Sequence, residues 1–236
     1  MKTVGVTLFA MANYKPKRIT LFAGHYGSGK TNIAVNFALK LKNDGLNVKI
    51  ADLDIVNPYF RTKDSADDLI KAGIPLISPA YANSNVDLPA LPPEIYSLVQ
   101  RNDCYAVMDI GGDDRGAYAL GRYTPYILEE NDYEMIFVAN FYRPLTTTVN
   151  EAIEVMREIE VACGIKFTAI INNSNLGNLT TAYDVDCTNE KAQQLADKTN
   201  LPLIFTSVTE SLATSIKAEN VLSLKLQKKY FDVKEI

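Results

Sequence analysis

Short apolar segments alternate with segments of helical periodicity along almost the whole chain. The apolar segments are rich in β-branched residues and nearly continuous in hydrophobic character, as expected for strands that are covered on both faces of a sheet. The predicted strands are Ile19–Ala23, Val48–Asp52, Ile74–Ser78, Ala106–Ile110, Met135–Ala139, Thr168–Asn172 and Leu203–Thr206. This alternation predicts an α/β fold, a doubly wound, mostly parallel sheet with helices on both faces and its site at the carboxyl ends of the strands.

The segments between these strands carry apolar residues at the spacing of amphipathic helices. The predicted helices are Thr31–Asn43, Ser65–Ala72, Pro92–Arg101, Thr147–Ala162 and Asn189–Thr199. Gly45, Gly73 and Gly164 follow three of them, where a left-handed C-cap is favoured. No linker rich in Pro, Gly or Ser divides the chain, so we predict one domain over residues 1–236, with an N-terminal extension at 1–17 and a C-terminal helix or tail at 221–236.

Composition and charge narrow the class of protein. The 236 residues are 47% hydrophobic and 22% charged, which excludes an intrinsically disordered chain. A net charge of -4 gives no electrostatic basis for general nucleic-acid binding. Cys104, Cys163 and Cys187 are an odd number of distant cysteines without a C-x-x-C pair. This pattern argues against a disulfide framework, a zinc site and a self-contained iron–sulfur site.

The two chain ends bear on localisation. Lys2, the apolar segment 4–9 and the small residues 10–12 weakly imitate a secretory signal, but the apolar stretch is short. We therefore expect a cytoplasmic protein, with Met11 as an alternative initiator to Met1. No stretch is long enough to cross a membrane. Residues 221–231 place leucines on one helical face, which favours a surface-docked final helix over a membrane-binding one.

The strongest chemical signal is a G-x-x-x-x-G-K-[ST] motif between the first predicted strand and the first predicted helix. Glycines allow backbone N–H groups to surround phosphate oxygens, the lysine places a charge on the β- and γ-phosphates, and the hydroxyl can bind Mg²⁺. The helix adds its positive dipole end. The predicted nucleotide-binding residues of this P-loop are Gly24, His25, Tyr26, Gly27, Ser28, Gly29, Lys30 and Thr31. The motif and its setting predict binding of a nucleoside triphosphate.

Two carboxylates follow the second predicted strand. Asp52 and Asp54 are two residues apart, so on extended backbone they point to the same side. Beside a triphosphate, one carboxylate can support the water shell of Mg²⁺ and the other can orient an attacking water. We therefore predict Asp52 as a metal-supporting residue and Asp54 as a catalytic residue, with a solvated turn as the alternative.

A third carboxylate and a glycine pair end the fourth predicted strand. Asp109 is followed by Gly111 and Gly112. This arrangement is typical of a carboxylate that holds Mg²⁺ through water and of a loop that senses the γ-phosphate and rearranges when that phosphate leaves. We predict Asp109 as a catalytic and metal-supporting residue and Gly112 as a contact to the γ-phosphate. A plain Asp-Gly turn is the alternative.

Polar residues after the last two predicted strands are candidates for contacting the base. An asparagine amide offers a donor and an acceptor and can read the edge of a purine. A guanine-specific site of the common kind requires Asn-Lys-x-Asp, and no Lys or Asp follows Asn173 in register. We therefore predict that Asn173 and Thr206 bind nucleotide and that adenine is favoured, which makes ATP and Mg²⁺ the expected ligands. A cluster of helix-capping asparagines is the alternative.

The order and spacing of these motifs resemble the MinD/ParA group of P-loop ATPases. That group also includes the nitrogenase iron protein, iron–sulfur carrier and nickel-insertion ATPases and, more distantly, dethiobiotin and cobyrinate synthetases. The resemblance covers roughly Arg18 to Ala218. It implies an ATP-dependent homodimer, with both nucleotides near the interface, whose slow hydrolysis changes the affinity for a protein client.

The resemblance also implies a role for each matching residue. Lys30 and Thr31 would hold phosphate and Mg²⁺. Asp54 would position the attacking water and Asp109 would support the metal. Asn173 would face the adenine.

His25 departs from the pattern of this group. Many members carry a second, signature lysine at this position, five residues before the P-loop lysine, which contacts the nucleotide of the partner subunit. Histidine is not a permanent cation, so it replaces that lysine poorly. Arg61 or Arg115, both in predicted switch loops, are the candidates for supplying the charge, and a merely packing His25 is the alternative. Tyr142-Arg143-Pro144 also lies at the carboxyl edge, after the fifth strand.

Three functions are compatible with these motifs. The favoured one is a Mg²⁺-dependent ATPase that switches a protein partner, with the maturation or activation of a metalloenzyme as the process. The absence of C-x-x-C disfavours an iron–sulfur carrier, and the absence of basic patches disfavours chromosome partitioning. A small-molecule ligase or kinase of the dethiobiotin synthetase type, and a nucleotide-binding regulator with negligible hydrolysis, are the alternatives.

Overall fold

A parallel sheet organises the computed structural model, which describes residues 14–54, 65–78, 93–101, 103–112 and 114–226, without the side chains of 114 and 115. Its strands are β1 (Ile19–Ala23), β2 (Val48–Leu53), β3 (Leu76–Ile77), β4 (Tyr105–Ile110), β5 (Tyr133–Ala139), β6 (Ala169–Asn172), β7 (Leu203–Thr209) and β8 (Val221–Leu224). The order across the sheet is β3-β2-β4-β1-β5-β6-β7-β8, and each neighbouring pair is parallel. β1, which leads into the P-loop, therefore lies inside the sheet.

Helices cover both faces of this sheet. They are α1 (Lys30–Asn43), α2 (Ala66–Lys71), α3 (Glu94–Gln100), α4 (Asp114–Gly121), α5 (Thr124–Glu130), α6 (Val149–Cys163) and α7 (Ala182–Thr199). Successive strand residues point to opposite faces, so Leu21 of β1 packs in one apolar cluster with α3–α7 and Phe22 packs in another with α1 and α2. The prediction of a doubly wound α/β fold is confirmed.

The predicted elements differ from the observed ones where short-range signals conflict. All seven predicted strands are present, but α7 starts at Ala182 rather than at Asn189. A capping box explains the earlier start, because Thr181 accepts from the backbone of Asp184 while the Asp184 carboxylate accepts from the backbone of Thr181. The sequence does not predict α4 and α5, because Gly116 and Gly121 in α4 and Pro125 in α5 weaken the helical signal.

The final helix predicted from residue 221 is wrong for Val221–Leu224. These residues form β8, which pairs with β7 from Thr206 opposite Val221 to Thr209 opposite Leu224. The alternation of buried Leu222 and Leu224 outweighs the helical spacing of Leu222 and Leu226, because both buried leucines complete the apolar cluster beside α1. The remaining predicted positions, 227–236, and residues 1–13 of the predicted extension lie outside the described residues. None of the helices in the described ranges is long and apolar enough to span a bilayer.

The Asn36 side chain of α1 forms two hydrogen bonds to the segment that follows β8. The Asn36 amide donates to the backbone carbonyl of Lys225 at 3.0 Å, and its oxygen accepts from the Lys225 N–H at 2.8 Å. These two bonds reproduce the donor and acceptor pattern of a neighbouring strand. The helix that begins in the P-loop is thereby tied to the edge of the sheet.

Candidate nucleotide-binding site

The P-loop runs from Gly24 to Gly29, between the end of β1 and the start of α1. This is the strand–loop–helix setting that the motif requires. Gly27 and Gly29 have φ angles of 74° and 89°, in the left-handed region that glycine adopts without strain. Gly24 is needed for a different reason, since a Cβ atom there would lie 2.6 Å from the backbone carbonyl oxygen of Val138. The loop therefore packs closely against β5 and presents the N-terminus of α1, which suits an anion.

Lys30 and Asp54 meet in the interior of the site. The Lys30 Nζ lies 3.6 Å from Asp54 Oδ2, and each residue is only 3% exposed. Asp54 also donates its backbone N–H to Asp52 Oδ1 at 3.0 Å, so the Asp52 side chain holds the backbone of Asp54 at the end of β2. The carboxylate predicted to be catalytic is thus held beside the lysine predicted to bind phosphate.

Asp109 and Gly112 lie at the same edge of the sheet. Asp109 is fully buried, and its register partners are Asp52 in β2 and Phe22 in β1. Gly112 lies against the P-loop, because a Cβ atom there would be 2.8 Å from the Tyr26 nitrogen and 3.0 Å from the Lys30 Nζ. The D-x-G-G segment therefore touches the P-loop, as a loop that senses phosphate must do.

The residues predicted to support a metal fit Mg²⁺. Thr31 is buried in the first turn of α1, and Asp52 and Asp109 are buried carboxylates on neighbouring strands. Mg²⁺ prefers oxygen ligands and keeps several waters, so it is commonly held by one or two carboxylates together with nucleotide phosphates. Among the described residues, no group of three or more His, Cys, Asp or Glu could hold a metal ion alone. The donor set suits an ion that arrives with the nucleotide.

Asn173 connects three parts of the site. Its side-chain N–H donates to the Ser28 carbonyl at 2.6 Å, its Oδ1 accepts from the Ser207 hydroxyl at 2.7 Å, and its backbone N–H donates to the Ala139 carbonyl at 2.8 Å. The residue is 4% exposed. Its amide therefore braces the P-loop against β6 and β7. One amide N–H has no contact of this kind in the described residues, and a contact from it to adenine stays a prediction.

Thr206 lies within β7, and its predicted contact to nucleotide stays a prediction. β7 continues to Thr209 instead of ending at Thr206, so Thr206 is an interior strand residue. Its hydroxyl is 3.5 Å from Asn189 Oδ1 of α7, and it is 3% exposed. The neighbouring Ser207 instead donates its hydroxyl to Asn173, the residue that contacts the P-loop at Ser28. The sequence predicts too early an end for β7, because a Thr-Ser pair can end a strand as readily as continue it.

His25, at the position of the signature lysine, and its neighbour Tyr26 lie on the surface of the P-loop. His25 is half-buried, and its Nδ1 is 3.1 Å from the Tyr26 carbonyl oxygen. The neighbouring Tyr26 is 52% exposed. Of the two arginines proposed to compensate for the missing lysine, Arg61 and the side chain of Arg115 lie outside the described part of the structure. His25 itself makes only this local contact among the hydrogen bonds of the described residues.

Arg143 is a neighbour of the P-loop that the sequence places only at the carboxyl edge. A Cβ atom on Gly27 would lie 3.4 Å from the Arg143 Nε and 3.5 Å from its Cζ. The adjacent Tyr142 donates its hydroxyl to the Asp184 carbonyl at 2.8 Å. The pKa of Tyr142 is raised, chiefly by burial and then by the Asp184 carboxylate, so it remains a neutral donor. No signal in the sequence brings Arg143 to Gly27, because the contact depends on the path of the loop.

Several solved structures share this architecture at low sequence identity. The cell division protein ftsY from Thermotoga maritima is 17% identical with a TM-score of 0.59, over 84% of this chain and 63% of that one. The signal recognition particle receptor FtsY from Elizabethkingia anophelis in complex with GDP is 18% identical with a TM-score of 0.50, over 83% of this chain and 58% of that one. FtsY from Mycoplasma mycoides is 19% identical with a TM-score of 0.55, over 84% and 62%.

These likenesses define the class of fold. The chain has the α/β fold of P-loop NTPases, and its P-loop motif follows the first strand. It spans between 58% and 63% of the length of the FtsY chains it matches. No protein-family model matches the chain, and no curated protein matches it in sequence.

Proposed function

We propose that this chain is a Mg²⁺-dependent ATPase that acts as a nucleotide-driven switch on a protein partner, with metalloenzyme maturation or activation as the process. One observation carries the proposal. Gly112, in the loop after β4, lies close enough to Lys30 and to the P-loop backbone that no side chain fits between them. A loop in that position responds to the γ-phosphate, because gain or loss of that group changes the space and charge beside Lys30.

The buried side chains have distinct roles in this proposal. Lys30 binds the β- and γ-phosphates and is held in place by Asp54. Asp54 then lies close to the γ-phosphate, where its carboxylate can orient a water molecule for in-line attack. Thr31, Asp52 and Asp109 would hold Mg²⁺ directly or through water, and that ion would neutralise charge on the phosphates. Gly112 would offer its backbone N–H to the γ-phosphate.

The preference for adenine rests on the residues that follow Asn173. The segment continues with Ser174, Asn175 and Leu176, so the lysine and the aspartate of the common guanine-reading motif are both absent. Aspartate accepts two hydrogen bonds from guanine in that motif, whereas leucine accepts none. One of the structural neighbours is described in complex with GDP, so guanine nucleotides are the necessary comparison in any binding test.

The proposed switch involves a second copy of the chain and a client protein. The resemblance to MinD/ParA ATPases supports an ATP-dependent homodimer that forms over the nucleotide sites. The exposed Tyr26 beside the half-buried His25 provides P-loop surface for such a contact. With histidine in place of the signature lysine, turnover across the dimer is expected to be slow.

The test combines binding, turnover and oligomeric state. Wild-type protein and Lys30→Ala are measured with ATP, ADP, GTP and a non-hydrolysable ATP analogue in Mg²⁺, by calorimetry, phosphate release and sedimentation. The proposal expects tight ATP binding that Lys30→Ala abolishes, slow hydrolysis, and dimers with ATP or the analogue but not with ADP. A monomer that is indifferent to nucleotide would refute the switch, and a preference for GTP would refute the assignment of adenine.

A further inference from the structure

The turn after β5 is held in one conformation by its own hydrogen bonds. Thr146 is 2% exposed, and its hydroxyl donates to the Asn140 carbonyl at 2.7 Å. The Arg143 N–H donates to the same carbonyl at 3.1 Å, while Asn140 Oδ1 accepts from the Tyr142 N–H at 3.1 Å. Leu145 is 62% exposed and has a φ angle of 64°, which is unusual for leucine. Such backbone strain persists only where surrounding contacts over-determine it.

Two further contacts fix this turn relative to the nucleotide site. Tyr142 bonds to the Asp184 carbonyl in α7, and the Phe141 N–H donates to the Ser174 hydroxyl at 3.0 Å, beside Asn173. Asn173 in turn bonds to the P-loop at Ser28. The turn and the P-loop therefore form part of one hydrogen-bonded unit.

The guanidinium of Arg143 lies over the P-loop from this fixed turn. Its Nε and Cζ are 3.4 and 3.5 Å from the position of a Cβ on Gly27, and Gly27 has no side chain to keep them away. Arg143 is exposed, and among the described residues no carboxylate forms an ion pair with it. A permanent cation that packs on a phosphate-binding loop without an acidic partner can bind an anion there.

The carboxylates of the site and the phosphates of a bound nucleotide together place negative charge there that a further cation would offset. Lys30 is the P-loop's own lysine, and its charge is shared with Asp54 at 3.6 Å. The carboxylates of Asp52 and Asp109 lie at the same edge of the sheet. A nucleoside triphosphate adds further negative charge, and His25 is not a permanent cation. Mg²⁺ offsets part of this charge, and Arg143 is the arginine that the described residues place on the loop.

We propose that Arg143 binds the phosphate groups of the nucleotide held by its own chain and supplies in cis the charge that the signature lysine would supply from a partner subunit. This inference rests on the proposed function and adds a substrate-contacting residue to it. The guanidinium fork suits two phosphate oxygens at once, which a lysine ammonium does not reproduce. Because the residue belongs to the same chain, its contribution does not require a dimer.

The test measures affinity for Mg·ATP and Mg·ADP by calorimetry, at a protein concentration where sedimentation shows monomer. Arg143→Ala should weaken binding of both nucleotides about tenfold to a hundredfold, the range expected for a charge-assisted hydrogen bond. Arg143→Lys should recover part of the loss, and the affinity of the wild type should fall more steeply with salt than that of Arg143→Ala. Arg101→Ala is the charge-matched control, because Arg101 lies before β4 at the opposite edge and pairs with Asp103 at 2.9 Å.

Three results would overturn the inference. Arg143→Ala that binds both nucleotides as tightly as wild type, while Lys30→Ala does not bind, would remove Arg143 from the site and leave the proposed function intact. An effect of Arg143→Ala confined to dimeric protein would refute a contribution in cis. Wild-type protein without any Lys30-dependent nucleotide binding would overturn the proposed function and this inference with it. Thermal unfolding of Arg143→Ala should match wild type, because the side chain is exposed.

Discussion

The side-chain amide of Asn173 donates a hydrogen bond to the backbone carbonyl of Ser28, at 2.6 Å, and so joins the carboxyl end of β6 to the P-loop. The same side chain accepts from Ser207 of β7. An asparagine in this position maintains the shape of the phosphate-binding loop before any nucleotide is bound. The consequence is that stability and ligand affinity should change together when this residue is altered.

Asn173→Ala should lower the free energy of unfolding by about 1–3 kcal/mol, because the Ser28 carbonyl loses the amide that donates to it and the Ser207 hydroxyl keeps only its longer bond to the Asn172 carbonyl. It should also weaken nucleotide binding, since the P-loop loses its brace. Urea denaturation and calorimetry measure the two effects. Asn150→Ala, which removes an exposed amide from α6, is the control and should change neither quantity. Full stability in Asn173→Ala would contradict the bracing role.

Gly112→Ala should weaken nucleotide binding at least tenfold. The new Cβ atom would lie 2.8 Å from the Tyr26 backbone nitrogen, so the loop after β4 or the P-loop must move. Gly121→Ala is the matched control, because the nearest atom to its Cβ is the Ala162 carbonyl oxygen at 3.9 Å. That control should bind as wild type does. Equal affinities for the two variants would show that the close approach of Gly112 is irrelevant to binding.

Thr181→Ala should lower the free energy of unfolding by about 1 kcal/mol through loss of the N-cap of α7. The Thr181 hydroxyl accepts from the Asp184 N–H, and no alanine atom can replace it. Thr181→Ser keeps the hydroxyl and should remain within about 0.5 kcal/mol of wild type. Urea denaturation of the three proteins is the measurement. A serine variant as unstable as the alanine variant would show that the methyl group, and not the cap, matters.

Glu134 should make stability fall as pH rises above its ordinary pKa of 4.5. Burial raises the pKa of this carboxyl, although hydrogen bonds from Tyr14, the Lys17 N–H and Thr20 partly oppose the shift. The folded state therefore keeps a proton that the unfolded state has released, and the free energy of unfolding declines until the folded carboxyl has also ionised.

Glu134→Gln should flatten this decline between about pH 4.5 and 7, because the uncharged amide has no proton to release in that range. Urea denaturation over the pH series measures the slope. Glu154→Gln, an exposed substitution on α6, should keep the wild-type slope. A Glu134→Gln protein with the slope of wild type would show that another group causes the decline.

The P-loop and its setting could be predicted because both signals are local. An apolar segment, a glycine pattern and a helical repeat follow one another within residues 19–43, and each has one physical interpretation. The convergence of Asp54 and Gly112 on Lys30 could also be predicted, because parallel strands end at one edge of a sheet. Sequence order therefore indicates that Asp54 and Gly112 lie beside Lys30, as they do.

Contacts that depend on loop paths could not be predicted. The bond from Asn173 to Ser28 joins positions far apart in the chain, and nothing in either segment specifies the partner. The approach of Arg143 to Gly27 depends in the same way on the turn that Thr146 fixes. The sequence predicts a helix in place of β8, because Val221–Leu224 satisfy both the helical and the strand periodicity, and packing in the apolar cluster beside α1 decides between them.

The two hydrogen bonds between Asn36 and Lys225 give the outer strand a mechanical connection to the phosphate-binding end of α1. Anything that pulled the backbone at Lys225 away would pull on the second turn of the helix whose first residue is Lys30. Force applied at that outer edge would thus be transmitted along α1 toward the buried Lys30 at its first turn. The edge of the sheet at β8 is therefore mechanically coupled to the N-terminal end of α1.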